Sequence, residues 1–181
     1  MPVITGPHDV TVARETAADG ELTLHTSHDG YVRRFGIVHH RILRIAPDGN
    51  RIEGEDVFLP PDNRLLPPDA EDAFALRFHL HPAVRATRLT DGHGVMLLLP
   101  NKDVWNFTAP EDLVELEESV FLGGLEGPRR TVQIVIAGQA AKVGRVHWTL
   151  AHTPQPGTGG TNGTGGASPT RQRGTEPELP L

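Results

Sequence analysis

The chain has 181 residues, a formal net charge of −6, 37 % apolar residues and no cysteine. That length fits one domain, and the missing cysteine excludes a disulfide framework, thiolate catalysis, Cys-bound zinc and iron–sulfur clusters. An acidic balance argues against a nucleic-acid binder, which needs a basic face, and no segment reaches the ~20 apolar residues of a membrane-spanning helix, so neither nucleic acid nor membrane is an expected partner.

Along the chain, short period-two patterns follow one another. Val10 and Val12 open the series, and Leu22 and Leu24 continue it. Phe74, Leu76, Phe78 and Leu80 alternate with Ala75, Arg77, His79 and His81, the clearest strand in the sequence. Val95 to Leu99 is apolar at every position and suits a strand buried between two layers. Trp105 with Phe107, Val114 with Leu116, Val132 with Ile134 and Ile136, and Val146 with Trp148 and Leu150 complete the set. Turn signals separate these runs at Asp19-Gly20, Asp29-Gly30, Asp48-Gly49-Asn50, Asp91-Gly92 and Gly123-Gly124. Residues 60–72 read as a long irregular loop. The expected fold is all-β: an antiparallel β-sandwich or stacked β-sheets. It occupies residues 1–153. From 154 to 181, Gly and Pro supply 12 of 28 residues and there is no aromatic, so this segment reads as a disordered tail.

Three features could carry chemistry. In His79-Leu80-His81, residues two apart on a strand share a face, so both imidazoles could reach one metal or ligand. Pro82 to Leu89 lacks the carboxylate that a cupin would supply, and a polar sheet face carrying two histidines is the plainer alternative. Tyr31 to Ile45 holds four Arg, two His and no acidic residue. Arg33, Arg34, His39, His40 and Arg41 in this island suit carboxylate or sulfate groups, although strand neighbours face opposite ways and only part of it can serve one site. A solvated edge strand is the alternative. In Ser27-His28-Asp29-Gly30-Tyr31, the histidine could act as a metal ligand or an acid–base group, or Asp29-Gly30 could simply turn the chain while Tyr31 packs. There is no P-loop and no nucleophile elbow.

The blocks SHDGYVRRFGIVHHR, GEDVF, FALRFHLHP, LEESVFLGG and PRRTVQIVIAG, followed by the Trp148 strand, resemble the C-terminal β-sheet domain of the heparinase II/III-like family over residues 6–151. The resemblance implies polysaccharide lyases with an N-terminal α/α toroid and a C-terminal stack of antiparallel sheets. Such enzymes cleave uronic-acid polysaccharides by β-elimination, and many hold zinc in the β domain through two His and one Asp. By that resemblance the catalytic Tyr and Asn belong to the toroid, so Tyr31 is not the catalytic tyrosine and no catalytic residue is expected in this chain. His28 carries over as a zinc ligand of an incomplete site. Arg33, Arg34, His39, His40, Arg41, His79 and His81 are the expected contacts to an acidic polysaccharide. The β domain is expected to be inactive alone, as a truncated frame or as one half of an enzyme whose toroid is encoded separately. A non-catalytic carbohydrate-binding β-sandwich is the rival reading, weakened by a content of two Trp and one Tyr.

Overall fold

A computed structural model describes residues 6–62, 72–124 and 127–154. In chain order the elements are β1 (Val10–Thr16), β2 (Leu22–Tyr31), α1 (Val32–Phe35), β3 (Ile37–Ile45), β4 (Arg51–Leu59), β5 (Ala73–His79), β6 (Arg85–Arg88), β7 (Gly94–Leu98), β8 (Val104–Thr108), β9 (Glu115–Phe121), β10 (Arg129–Gln139), α2 (Ala140–Val143) and β11 (Arg145–Thr153). All strand pairings are antiparallel. They form an eight-stranded sheet in the order β1-β2-β3-β4-β11-β8-β7-β6 and a three-stranded sheet in the order β5-β10-β9. The all-β expectation holds, with two single-turn helices as the only additions among the described residues. The segment expected to be an irregular loop falls largely at 63–71, and the expected tail at 155–181. Both lie outside the described residues.

The alternation read in the sequence decides what is buried. Leu76, Ile134 and Ile136 from the small sheet meet Phe107, Val95, Val146 and Trp148 from the large one, all 6 % exposed or less. Fully burying such side chains stabilises by about 1.5–3 kcal/mol each. The two sheets differ greatly in width. The core cluster draws on β3, β4, β11, β8 and β7 from the large sheet, and no residue of β1 or β2 belongs to it. Those two strands form an overhang past the small sheet.

Two local expectations are corrected. Val95–Leu99 is not buried on both faces, because Met96 is 38 % exposed on the outer face of β7. Asp29-Gly30 does not turn the chain either. Both residues remain in β2, where the register shifts between His28 and Tyr31. The reversal falls instead to α1, which ends at Gly36 with φ +68°, a left-handed conformation favoured by glycine. The other Asp-Gly turns place their glycines at positive φ: Gly20, Gly49 and Gly92.

Candidate functional site

Register across four strands assembles one constellation on the inner face of the large sheet. His28 on β2 lies directly opposite His39 on β3. Arg41, two residues along and therefore on the same face, lies opposite Asp56 on β4. Ile52, Gly54, Asp56 and Phe58 share that inner face, so the carboxylate of Asp56 stands in an otherwise apolar row. Gly54 is opposite Trp148 on β11. The indole lies over the glycine so closely that an added Cβ would come within 2.1 Å of Trp148 Cε2 and Cζ2. Only a glycine admits this approach, and it lets the indole reach across to Asp56.

Asp56 is fully buried and accepts three hydrogen bonds. Its Oδ1 takes His39 Nε2–H at 2.6 Å and Arg41 Nε–H at 2.7 Å, and its Oδ2 takes Trp148 Nε1–H at 2.8 Å. Burial pushes the carboxyl pKa up, but the bonds from His39, Arg41 and Trp148 outweigh it and hold the value below the ordinary range. The guanidinium of Arg41 sits 5.6 Å from the Phe78 ring centre and 5.9 Å from that of Trp148, a second source of stabilisation for its charge.

The chain of contacts continues outward from Asp56. His39 Nδ1 lies 3.2 Å from His28 Nε2, and His28 Nδ1 accepts the Gly30 backbone N–H at 3.3 Å. These bonds assign the tautomers. His39 carries its proton on Nε2 toward Asp56, and neutral His28 carries its own on Nε2 toward His39. Burial, then the neighbouring His39, lowers the His28 pKa, which favours that neutral form. The arrangement is a carboxylate–imidazole–imidazole line leading from the core to the surface, with the Tyr31 ring 5.1 Å from the ring of His28. A buried carboxylate that orients an imidazole is a device for holding one tautomer and one ring position.

The other expected site residues disperse. Arg33 and Arg34 are exposed on α1, with Arg34 5.1 Å from the Phe35 ring centre. His40 is on the outer face of the large sheet, in a shallow groove with His25, Glu55 and Arg145. His79 faces outward from the small sheet and pairs with Ser119 Oγ at 2.8 Å. The His79/His81 pair does not form the same-face motif expected of a strand, because β5 ends at His79. His81 instead accepts the Ala83 N–H on its Nδ1 and packs edge-on against Phe121. Of the expected residues, the structure brings together His28, His39 and Arg41.

A zinc ion requires lone pairs converging on one point. Here both ring nitrogens of His28 are engaged, by Gly30 and His39, and both oxygens of Asp56 are taken by hydrogen-bond donors. Among the described residues no group of three or more His, Asp or Glu side chains could hold a metal ion. In this arrangement the donors are directed at one another and not at one common point.

Asp56, Gly54 and Trp148 are the members that sequence reasoning missed. The usable signal was Asp56 itself, an acidic residue on the apolar parity of a strand.

With this geometry in view, comparison with known proteins is informative. A model of the heparinase II/III-like C-terminal family matches residues 5–149. FtsZ-localized protein C of Caulobacter vibrioides is 34 % identical over 140 residues, which cover 72 % of this chain and 23 % of that protein. The heparan sulfate lyase HepC of Pedobacter heparinus superimposes with a TM-score of 0.63 at 8 % identity, over 79 % of this chain and 21 % of the lyase. A heparinase III gives 0.59 at 14 % identity, over 80 % and 21 %. The chain thus spans less than a quarter of the length of each of these relatives, and the structural matches establish a shared fold. Carried by the match over residues 5–149 and consistent with the shared fold, this chain belongs to the heparinase II/III-like C-terminal domain family.

Proposed function

We propose that this chain is the β domain of a heparinase II/III-like protein that acts on an acidic polysaccharide, and that it contributes a polymer-facing surface without completing the catalytic set. The observation that carries this reading is the oriented His28–His39–Asp56 line with the Arg41 guanidinium on the same face, followed in the chain by α1 with its exposed Arg33 and Arg34. Exposed guanidinium groups such as those of Arg33 and Arg34 suit the carboxylate or sulfate groups of a uronate polymer. β-Elimination needs a positioned base, an acid for the leaving oxygen and neutralisation of the substrate carboxylate, all at once. One oriented imidazole line supplies part of that set. The remainder is assigned to an α/α toroid, either in the same protein or separately encoded. Zinc has no role in this reading, because the donors are committed to one another.

A second, non-catalytic reading is favoured by one observation. Tyr31 and Phe35 lie exposed side by side, with ring centres 6.4 Å apart, a surface on which a sugar ring can stack. The sequence is also nearer to a protein named for its localisation with FtsZ than to the solved lyases quoted above.

The test uses the purified chain with heparan sulfate, heparin and alginate. The β-elimination reading expects no rise in ultraviolet absorbance from unsaturated uronate. It expects salt-sensitive binding to immobilised polymer that falls in the double variant Arg33→Glu/Arg34→Glu. Turnover by the chain alone refutes the incomplete catalytic set. Binding that ignores both charge reversal and salt, but is lost in Tyr31→Ala, favours the stacking module.

A further inference from the structure

The large sheet ends on one side in β6 and on the other in β1. β6 is four residues long and carries Arg85 and Arg88, and a short charged edge resists pairing with another chain. β1 lacks such protection. It runs for seven residues, VTVARET, without lysine, proline or a break in its register with β2, and it is exposed throughout. Val10 and Val12 stand on its inner face, the face of His28.

One hydrogen bond gives the direction of the free backbone groups of β1. Asp29 donates its N–H to Asp9 O at 3.2 Å, one step beyond the Val10–His28 pair in the β1–β2 register. In an antiparallel ladder, pairs that exchange hydrogen bonds alternate with pairs that do not. Asp9, Thr11, Ala13 and Glu15 therefore turn their N–H and C=O toward β2. Val10, Val12, Arg14 and Thr16 turn theirs outward, where no described strand meets them.

We infer that β1 is a dimerisation edge, which pairs antiparallel with β1 of a second copy about a two-fold axis at Ala13 and joins the two large sheets into one. The edge is complementary to itself. A two-fold axis normal to the sheet sets β1 against β1 antiparallel and keeps inner residues beside inner residues, so the axis must pass through a residue. Ala13 is the midpoint of β1, and only there do all seven residues pair. Charge selects the same register. With the axis at Val12, Asp9 would face the partner's Glu15, and with it at Arg14 the two arginines would face each other. Like charges directly opposite are destabilising. With the axis at Ala13, Val10 meets the partner's Thr16 and Val12 meets the partner's Arg14, all four being residues with outward N–H and C=O. These pairs and their symmetry mates supply roughly eight backbone hydrogen bonds. Val12 also gains the aliphatic stem of the partner's Arg14 as cover. Both imidazole lines then open on the same side of the joined sheet. The pairing does not depend on the polysaccharide reading.

One strand pair is a small interface, so the dimer forms and dissociates with concentration. In the dissociated protomer β1 is held by β2 alone, and its amide protons are the most open to exchange.

The experiment follows the full chain by sedimentation velocity from about 1 μM to about 1 mM, the span of weak affinities. The mass is expected to rise from 19.6 kDa toward twice that value. Val12→Pro removes an outward N–H and leaves the β1–β2 ladder intact, a position where an edge strand accepts proline. It should keep its circular dichroism and stay monomeric. Val12→Lys should do the same, and it decides the matter if Val12→Pro fails to fold. Ala13→Cys reports the register, since the chain has no other cysteine. Opposite residues of a non-hydrogen-bonded pair have Cα atoms about 4.5 Å apart, within reach of a disulfide. With oxidised glutathione, Ala13→Cys should become a covalent dimer. Thr11→Cys should not, because its two copies stand about 14 Å apart along the strand. The inference is overturned by a single-protomer mass at about 1 mM, by species larger than a dimer, by dimers that persist in the folded Val12 variants, or by cross-linking of Thr11→Cys as readily as Ala13→Cys.

Discussion

Replacing Asp56 by alanine would remove the acceptor at the centre of the site and leave three donors without it. His39, Arg41 and Trp148 hold the carboxylate at 2.6, 2.7 and 2.8 Å, and Asp56 has no exposed surface through which water could take its place. A hydrogen bond to a charged group contributes about 1.5–3 kcal/mol net. Three such bonds to one side chain are not additive, because Arg41 is one-third exposed and can turn partly toward water. The buried indole N–H and the largely buried His39 have less freedom to do so. Breaking a buried ion pair by deleting one partner costs about 3–5 kcal/mol, so Asp56→Ala is expected to lose that amount. It is a large share of the roughly 5–15 kcal/mol that a domain possesses. Urea unfolding followed by tryptophan fluorescence and far-ultraviolet circular dichroism measures it, with Glu53→Ala as the control. Glu53 pairs with Arg51 at 3.0 Å on the exposed surface, and its loss should cost about 0–1 kcal/mol. A loss below about 1 kcal/mol for Asp56→Ala would refute the view that this carboxylate organises the site.

Gly54→Ala should destabilise by about 1–3 kcal/mol in the same assay, because the new methyl must displace the Trp148 indole from its bond to Asp56. An unchanged urea midpoint would contradict the close approach. The pKa values of His28 and Asp56 are both depressed on folding, from ordinary values of 6.5 and 3.8, so in each window the unfolded chain binds more protons. Their contributions to stability are complete above those values and are lost as pH falls through the lower folded values. Urea midpoints should therefore fall in two stages, one beginning below about pH 6.5 and one below about pH 4. A midpoint that rises between pH 6.5 and pH 5 would be the wrong sign. Purified chain dialysed against zinc should retain far less than one equivalent by mass spectrometry, with no change in His28→Ala. One tightly held equivalent, lost in that variant, would show that the donors rearrange around metal.

The strands were legible because inner-facing residues recur at every second position, and Phe74 to Phe78, Val132 to Ile136 and Val146 to Leu150 are each found where that pattern places them. Strand ends were less so. Nothing in the alternation of His79 and His81 signals that pairing stops between them, since β10 continues to Arg129 alongside β9 after its last pair with β5, Gln133 with His79. The site was legible only in its separate pieces. His28 and His39 could be singled out as chemical groups, but their contact depends on a register set by the whole β2–β3 pairing, including the shift after His28. Asp56 and Trp148 are 92 residues apart, and only the β4–β11 pairing joins them. Long-range pairing of this kind leaves no local trace beyond an acidic residue on an apolar parity.

The unequal width of the two sheets also sets a gradient of rigidity across the molecule. At one side, β11, β8 and β7 are clamped beneath the small sheet. At the other, β1 is held by β2 alone, with Val10 60 % and Val12 68 % exposed. Local opening is easiest where few apolar contacts resist it, so amide protons should exchange fastest in β1 and slowest in β11. The line from Asp56 through His39 to His28 runs along this gradient. Its anchor, Asp56, is buried in the core-backed part of the sheet, while its outer imidazole rides on β2, next to the edge strand β1. The end of the site that meets solvent is therefore also the end with the most freedom to adjust to what it meets.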